Sequence, residues 1–193
     1  MAAAGNGRAG AQRASQLLNC SFTRSPYSVQ KSVSCFTAVA KLGTRLRPTM
    51  HPHGTAIVVH EGRIIGRGIN RVAERSDPTA HGEVEAIRDA CASHGPSLAG
   101  CDLYTSCEPC IMCAAAAELA GISRIFYAAS FAGAGEALAP LWPDFVPRYT
   151  AARAHVCQPP GQHPDRAIQI GEEPATAILK EWAQRMAASR QKA

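Results

Sequence analysis

The sequence predicts an α/β fold, and three observations carry that reading. Two short apolar runs, Thr55-Ala-Ile-Val-Val59 and Arg63-Ile-Ile-Gly-Arg-Gly-Ile-Asn70, flank the turn dipeptide Glu61-Gly62 in the manner of a β-hairpin. Helix-start signals at Asp77-Pro78 and at Pro109 then alternate with the strand-like runs Asp102-Leu-Tyr-Thr105 and Arg124-Ile-Phe-Tyr-Ala-Ala129. Strands separated by helices imply parallel pairing in a sheet covered on both faces.

The elements follow in order. Cys35 to Leu46 reads as a short amphipathic helix with Phe36, Val39, Ala40 and Leu42 near one face, ended by Pro48. Gly66 and Gly68 in the second strand point to a bulge or a close backbone approach near Asn70. Asp77 suits the N-cap and Pro78 the first turn of a helix running to about Ser93. His94 to Gly100 is a loop, and Pro109 opens a helix that stops near Gly121. Residues 131–165 are rich in Gly, Pro and Ala, with one further strand expected at Arg153 to Cys157. Pro174 begins a C-terminal helix with Ile178, Leu179, Trp182 and Met186 on its apolar side. The expected organisation is an N-terminal extension, residues 1–34, followed by one domain over residues 35–193.

Charge narrows the function classes. The 193 residues carry a formal +5, but Arg8, Arg13, Arg24, Lys31, Lys41, Arg45 and Arg47 precede the first carboxylate, Glu61. Residues 61–193 therefore have a net charge of −2, which argues against a broad nucleic-acid surface. The acid-free, Arg- and Ser-containing start has the composition of a transit peptide, but the preferred reading is a disordered extension or sequence upstream of the true start. A cytoplasmic location is expected, or an organelle if residues 1–34 are a transit peptide. No apolar run reaches the roughly 18 residues that a membrane span requires.

Of the eight cysteines, three form the run Cys107-Glu-Pro-Cys110-Ile-Met-Cys113, a spacing that favours metal over disulfides. His81-Gly-Glu83 lies upstream. Cys110 and Cys113 fall in the first turn of one helix and His81 in the first turn of the preceding one. Packed side by side, those N-termini would unite one imidazole and two thiolates and leave a tetrahedral zinc one open position. Glu83, offset by two from His81, is placed to move a proton to and from a water held there. Cys107 is a small residue beside the site or, alternatively, a fourth ligand of a closed structural site. The remaining cysteines show no ligand spacing, and His60, His94, His155 and His163 are scattered. His51 and His53, before the first strand, are likewise read as structural or solvated residues, with a place near the site as the lesser alternative.

The segments Asp77-Pro-Thr-Ala-His-Gly-Glu-Val-Glu-Ala-Ile-Arg88 and Leu103-Tyr-Thr-Ser-Cys-Glu-Pro-Cys-Ile-Met-Cys113 resemble the guanine deaminase branch of the cytidine deaminase-like zinc deaminases, and Ile125 to Ala129 agrees. The tRNA adenosine deaminases share Asp77 to His81. The resemblance implies a three-layer α/β/α fold around a mixed five-stranded sheet, one zinc per chain on His81, Cys110 and Cys113, Glu83 as proton shuttle, and a homodimer. It also puts Asn70 and the Gly82 N–H at the substrate, while a plain turn role for Asn70 stays open. Four departures stand out. Gly82 replaces the usual Ala, and Pro52-His53-Gly54 replaces Pro-Phe-Gly. Gly133, with Glu136 nearby, stands where an Asp is expected, and no aromatic C-terminal end is evident.

The function expected from these residues is hydrolytic deamination of a small nucleobase or nucleoside by a zinc-activated water, with guanine giving xanthine and ammonia. Two alternatives remain: adenosine-to-inosine deamination in tRNA, for which Lys180, Arg185, Arg190 and Lys192 supply cations, and a non-catalytic zinc-stabilised module.

Overall fold

A computed structural model describes residues 29–43, 54–157, 169–170 and 172–190. The chain divides into two compact units, Met1–Ser130 and Phe131–Ala193. His51 and His53 lie outside the described residues.

The first unit is built on a four-stranded sheet of order β2-β1-β3-β4. Strand β1 (Thr55–His60) is β-branched, and Thr55 to Val59 are all buried, as a central strand covered on both faces requires. The Glu61-Gly62 turn reverses it into β2 (Arg63–Ile69). Both turn residues have positive φ, +48° and +79°, the requirement of the two-residue hairpin turn whose twist matches its strands. Ladder partners shift between Val58 and Val59 and leave Ile65 as the extra residue of a bulge. β1 also pairs antiparallel with β3 (Asp102–Cys107), and β3 pairs parallel with β4 (Arg124–Ala129). The sheet is therefore mixed, with β2 and β3 running the same way on either side of β1.

The sequence expectation of five strands needs correction: among the described residues the sheet has four. The segment expected to form another strand, Arg153 to Cys157, closes a helix instead. Ala151, Ala152 and Ala154 favour that state, and Pro147 sits in its first turn, where its missing N–H costs no hydrogen bond.

Helices cover both faces. α1 (Val29–Gly43) packs one side, where Val39 and Phe36 meet Ile57, Val59 and Tyr104. It begins earlier than the apolar spacing suggests, and the expected end at Leu46 lies outside the described residues. Thr55 Oγ1 donates to the Val39 carbonyl at 3.1 Å, which ties helix to sheet. Tyr104 stacks on Phe126 with ring centroids 4.6 Å apart and takes the edge of Phe36 at 5.6 Å. A single turn, α2 (Val72–Arg75), follows β2. α3 (Gly82–His94) and α4 (Ile111–Leu119) cover the opposite face. There Ala56, Val58 and Leu103 of the sheet meet Ala86, Ala90 and Ala117. Small residues on both sides allow a close approach. A β-carbon at Gly66 would lie 2.7 Å from Ala90 Cβ, and one at Gly68 would run into the α3 backbone. The two glycines thus serve the backbone approach that their presence in a strand suggests.

α3 starts at Gly82 and not at Asp77. The Asp77 carboxylate is occupied by Thr79, accepting from its N–H at 2.8 Å and its hydroxyl at 2.6 Å, so residues 77–80 form a turn.

In the second unit, α5 (Phe131–Leu138) and α6 (Phe145–Val156) join through Phe131, Phe145 and Tyr149. Both fall in the Gly-, Pro- and Ala-rich stretch for which the sequence suggests no helix. α7 (Glu172–Arg190) carries Ile178, Leu179, Trp182 and Met186, all exposed. Among the described residues no helix is long and apolar enough to cross a membrane.

Candidate metal and catalytic site

Two helix starts meet at one end of the sheet. His81 holds the extended position just before α3 (φ −72°, ψ 155°), and Cys110 holds the same position before α4 (φ −67°, ψ 167°). Both stand one place outside the first turn that the sequence suggests, a normal margin for helix ends. Cys113 is one turn on and faces the same side as Cys110. His81 Nδ1 lies 3.6 Å from Cys110 Sγ and 3.5 Å from Cys113 Sγ, and the sulfurs are 3.5 Å apart.

Those separations suit a shared ion. Donors at about 2.0–2.3 Å from a tetrahedral zinc stand roughly 3.5–3.8 Å from one another. One imidazole and two sulfurs are also a zinc-type donor set. The pair of thiols is electrostatically prepared. Hydrogen bonding to Cys113, then to His81, pulls Cys110 down against its own burial, so Cys110 gives up its proton first. The same hydrogen bond and burial push Cys113 up. Hydrogen bonding to Cys110 also raises His81, overcoming desolvation. Both sulfurs lie at the start of α4, whose partial positive charge favours thiolate. Cys107, at the end of β3, is not among the converging donors, and burial raises its thiol.

Glu83 is the second residue of α3, and only 4% of it is exposed. Its Oε1 accepts from the Thr105 hydroxyl at 3.1 Å, and its Oε2 lies 3.5 Å from Cys113 Sγ. Burial raises its pKa and favours the protonated acid, with Thr105 opposing. Glu83 is not one of the three grouped donors, so its carboxylate stands beside the metal ligands without joining them. Thr105 went unnoticed in the sequence. Its only signal is strand periodicity, which turns it to the same face as Leu103, under α3.

Gly54 lies at the centre of the remaining contacts. Its φ is +78°, and a β-carbon there would sit 3.4 Å from both Glu83 Oε2 and the Gly82 nitrogen. A β-carbon at Gly82 would in turn run into the Gly54 carbonyl. The departure from Ala at position 82 therefore tightens this helix start against β1. The Asn70 N–H donates to the Gly54 carbonyl at 2.9 Å. Asn70 is 6% exposed, and its Oδ1 accepts from the Val72 N–H at 3.1 Å. The side chain thus closes a turn through its oxygen, which assigns its Nδ2 as a donor for another partner. The structure accordingly brings His81, Gly82, Glu83, Cys110 and Cys113 together, with Asn70 joined to them through Gly54.

The chain is similar to known proteins in both sequence and fold. The family described as cytidine and deoxycytidylate deaminase zinc-binding region matches residues 29–129. Guanine deaminase from Bacillus subtilis (strain 168) is 51% identical over 83 residues, which cover 42% of this chain and 53% of that protein. The tRNA-specific adenosine deaminase of Agrobacterium fabrum is 49% identical over 75 residues, 38% of this chain and 49% of that one. The chain spans about half the length of these curated relatives. The X-ray structure of the Bacillus subtilis guanine deaminase superposes with a TM-score of 0.66 at 32% identity, covering 79% of this chain and 93% of that one.

Proposed function

The chain belongs to the cytidine and deoxycytidylate deaminase zinc-binding family, and from that premise we propose that it hydrolytically deaminates a nucleobase, converting guanine to xanthine and ammonia. The observation that carries the proposal is the buried Glu83 carboxylate set beside three converging metal donors and held by Thr105. A purely structural zinc site has no use for such a group.

His81 Nδ1, Cys110 Sγ and Cys113 Sγ would hold one zinc per chain. Bound there, zinc supplies Lewis acidity that lowers the pKa of a water. Glu83 then does the proton work. Its Oε1 is fixed by Thr105, so Oε2 would carry one proton from the attacking water to a ring nitrogen, and then a second, from the hydroxyl added to the ring carbon, to the amine, which leaves as ammonia when its C–N bond breaks. Asn70 Nδ2 donates to an acceptor on the base. The Gly82 N–H, among the first of α3 and so without an intrahelical partner, faces a substrate oxygen. A homodimeric, cytoplasmic enzyme belongs to the same reading. The guanine deaminase relative, with the higher identity and a superposable structure, supports the choice of base.

The test is ammonia release by the purified, zinc-loaded chain from guanine, guanosine, cytosine, cytidine and adenine. Turnover of guanine above the others is expected. Silence on the whole panel overturns the proposal. Inosine formation in tRNA, with steeply salt-dependent binding, transfers the chain to the tRNA reading.

A further inference from the structure

A second group of soft donors converges at the opposite end of the first unit. The antiparallel register that pairs Ala56 with Thr105 and Val59 with Asp102, carried one step further, sets His60 across from Cys101. Strand alternation turns both toward α3: Ala56 and Val58 of β1 and Cys101 and Leu103 on the β3 side all belong to the core beneath that helix. α3 ends at His94, above the same spot. One ligand atom from each of His60, His94 and Cys101 lies within 4.8 Å of the others. The rings of His60 and His94 meet edge to face with centroids 4.8 Å apart. A β-carbon at Gly100 would find His60 Nε2 as its nearest neighbour, at 3.9 Å, so that nitrogen faces the turn carrying Cys101. Cys101 is a buried free thiol.

We infer that His60, His94 and Cys101 form a second metal site, for a borderline ion of the zinc type, remote from the catalytic centre. Two imidazoles and one sulfur are a donor set that zinc and its late first-row neighbours accept and that calcium and magnesium do not. The donors, no more than 4.8 Å apart, would stand about 3.5 Å from one another around an ion, and rotation of the half-buried His60 and exposed His94 rings supplies any closure that needs. The C-terminal end of α3 carries partial negative charge, which favours a cation there. The site is about 20 Å from His81 along α3, at about 1.5 Å per residue, so it cannot take part in the deamination. Its effect is structural: an ion would clip the end of β1, the end of α3 and the turn into β3. Neither residue spacing nor any local motif signals it, because the three residues meet only through the β1–β3 register and the packing of α3 on the sheet.

The experiment is metal-to-protein stoichiometry of the full chain after loading with a slight excess of zinc and gel filtration. Wild type and His94→Ala are compared. His94 is exposed, so its truncation leaves the core intact. The expected result is that His94→Ala holds about one equivalent less than wild type, loses any zinc-dependent rise in melting temperature that this site confers, and deaminates at the wild-type rate. Because the readout is a difference of one equivalent, it stands whether or not the catalytic site fills. A His60→Ala/His94→Ala double variant must show the same deficit. Equal zinc content in all three proteins overturns the inference and leaves the two rings as a packing pair.

Discussion

The Thr105 hydroxyl donates to Glu83 Oε1 at 3.1 Å, across 22 residues of sequence, inside a site where both residues are buried. In the proposed mechanism this contact holds Oε1 and leaves Oε2, on the side of Cys113, to carry the proton. Thr105→Val keeps the shape and removes the donor. Loss of a buried hydrogen bond to a carboxylate costs about 1.5–3 kcal/mol, so kcat should fall roughly 10- to 100-fold. Zinc content should stay unchanged, and Thr105→Ser should restore most of the rate. An unaltered rate in Thr105→Val would remove Thr105 from the account.

The approach of β2 to α3 rests on Gly66. A β-carbon there would lie 2.7 Å from Ala90 Cβ and 2.8 Å from Ala90 N. Alanine suits a strand better than glycine by about 0.5–1 kcal/mol, but overpacking a tight core costs about 1–3 kcal/mol. Gly66→Ala should therefore lower the denaturant midpoint without changing the slope. A raised midpoint would mean that α3 does not sit as close as described.

Asp102 is 1% exposed and is held by Arg124, whose Nε and Nη2 donate to its two carboxylate oxygens at 2.7 Å each. Arg124 is itself 38% exposed, so water screens the pair in part. Arg124→Leu leaves a buried carboxylate without this partner, and a loss of about 1–3 kcal/mol is expected in equilibrium unfolding. Asp102→Asn in the Arg124→Leu background should recover part of it, since the uncompensated charge is then gone.

The donor set predicts its own consequence. Cys113→Ser replaces a buried sulfur with a poorer zinc ligand. It should cut zinc retention at His81 and Cys110 and abolish deamination, while zinc uptake at the second site proposed on His60, His94 and Cys101 persists. Full activity in Cys113→Ser protein would exclude the proposed ligand set.

How much of this was legible in the sequence depends on how local each signal is. His81, Glu83, Cys110 and Cys113 sit two or three residues apart on helix starts, and short-range spacing sufficed to place them. The hairpin was legible too, because Glu61-Gly62 marks its turn. Thr105 was not, since its hydrogen bond to Glu83 exists only once β3 lies beneath α3. The true start of α3 was hidden because Thr79 competes for the Asp77 carboxylate. Arg153 to Cys157 is expected as a strand within a Gly-, Pro- and Ala-rich stretch, whereas the alanines at 151, 152 and 154 and the preceding Pro147 belong to a helix. His60, His94 and Cys101 carried no pattern at all.

The most direct measurement is the deamination rate of Glu83→Gln at zinc content matched to wild type. Glutamine keeps the volume and can still accept from Thr105, but it cannot take a proton. General acid–base catalysis contributes about 10²- to 10⁴-fold, so ammonia release from guanine should drop by at least 100-fold with zinc retained. A rate within a few-fold of wild type would contradict the assignment of Glu83 and, with it, the mechanism proposed for this site.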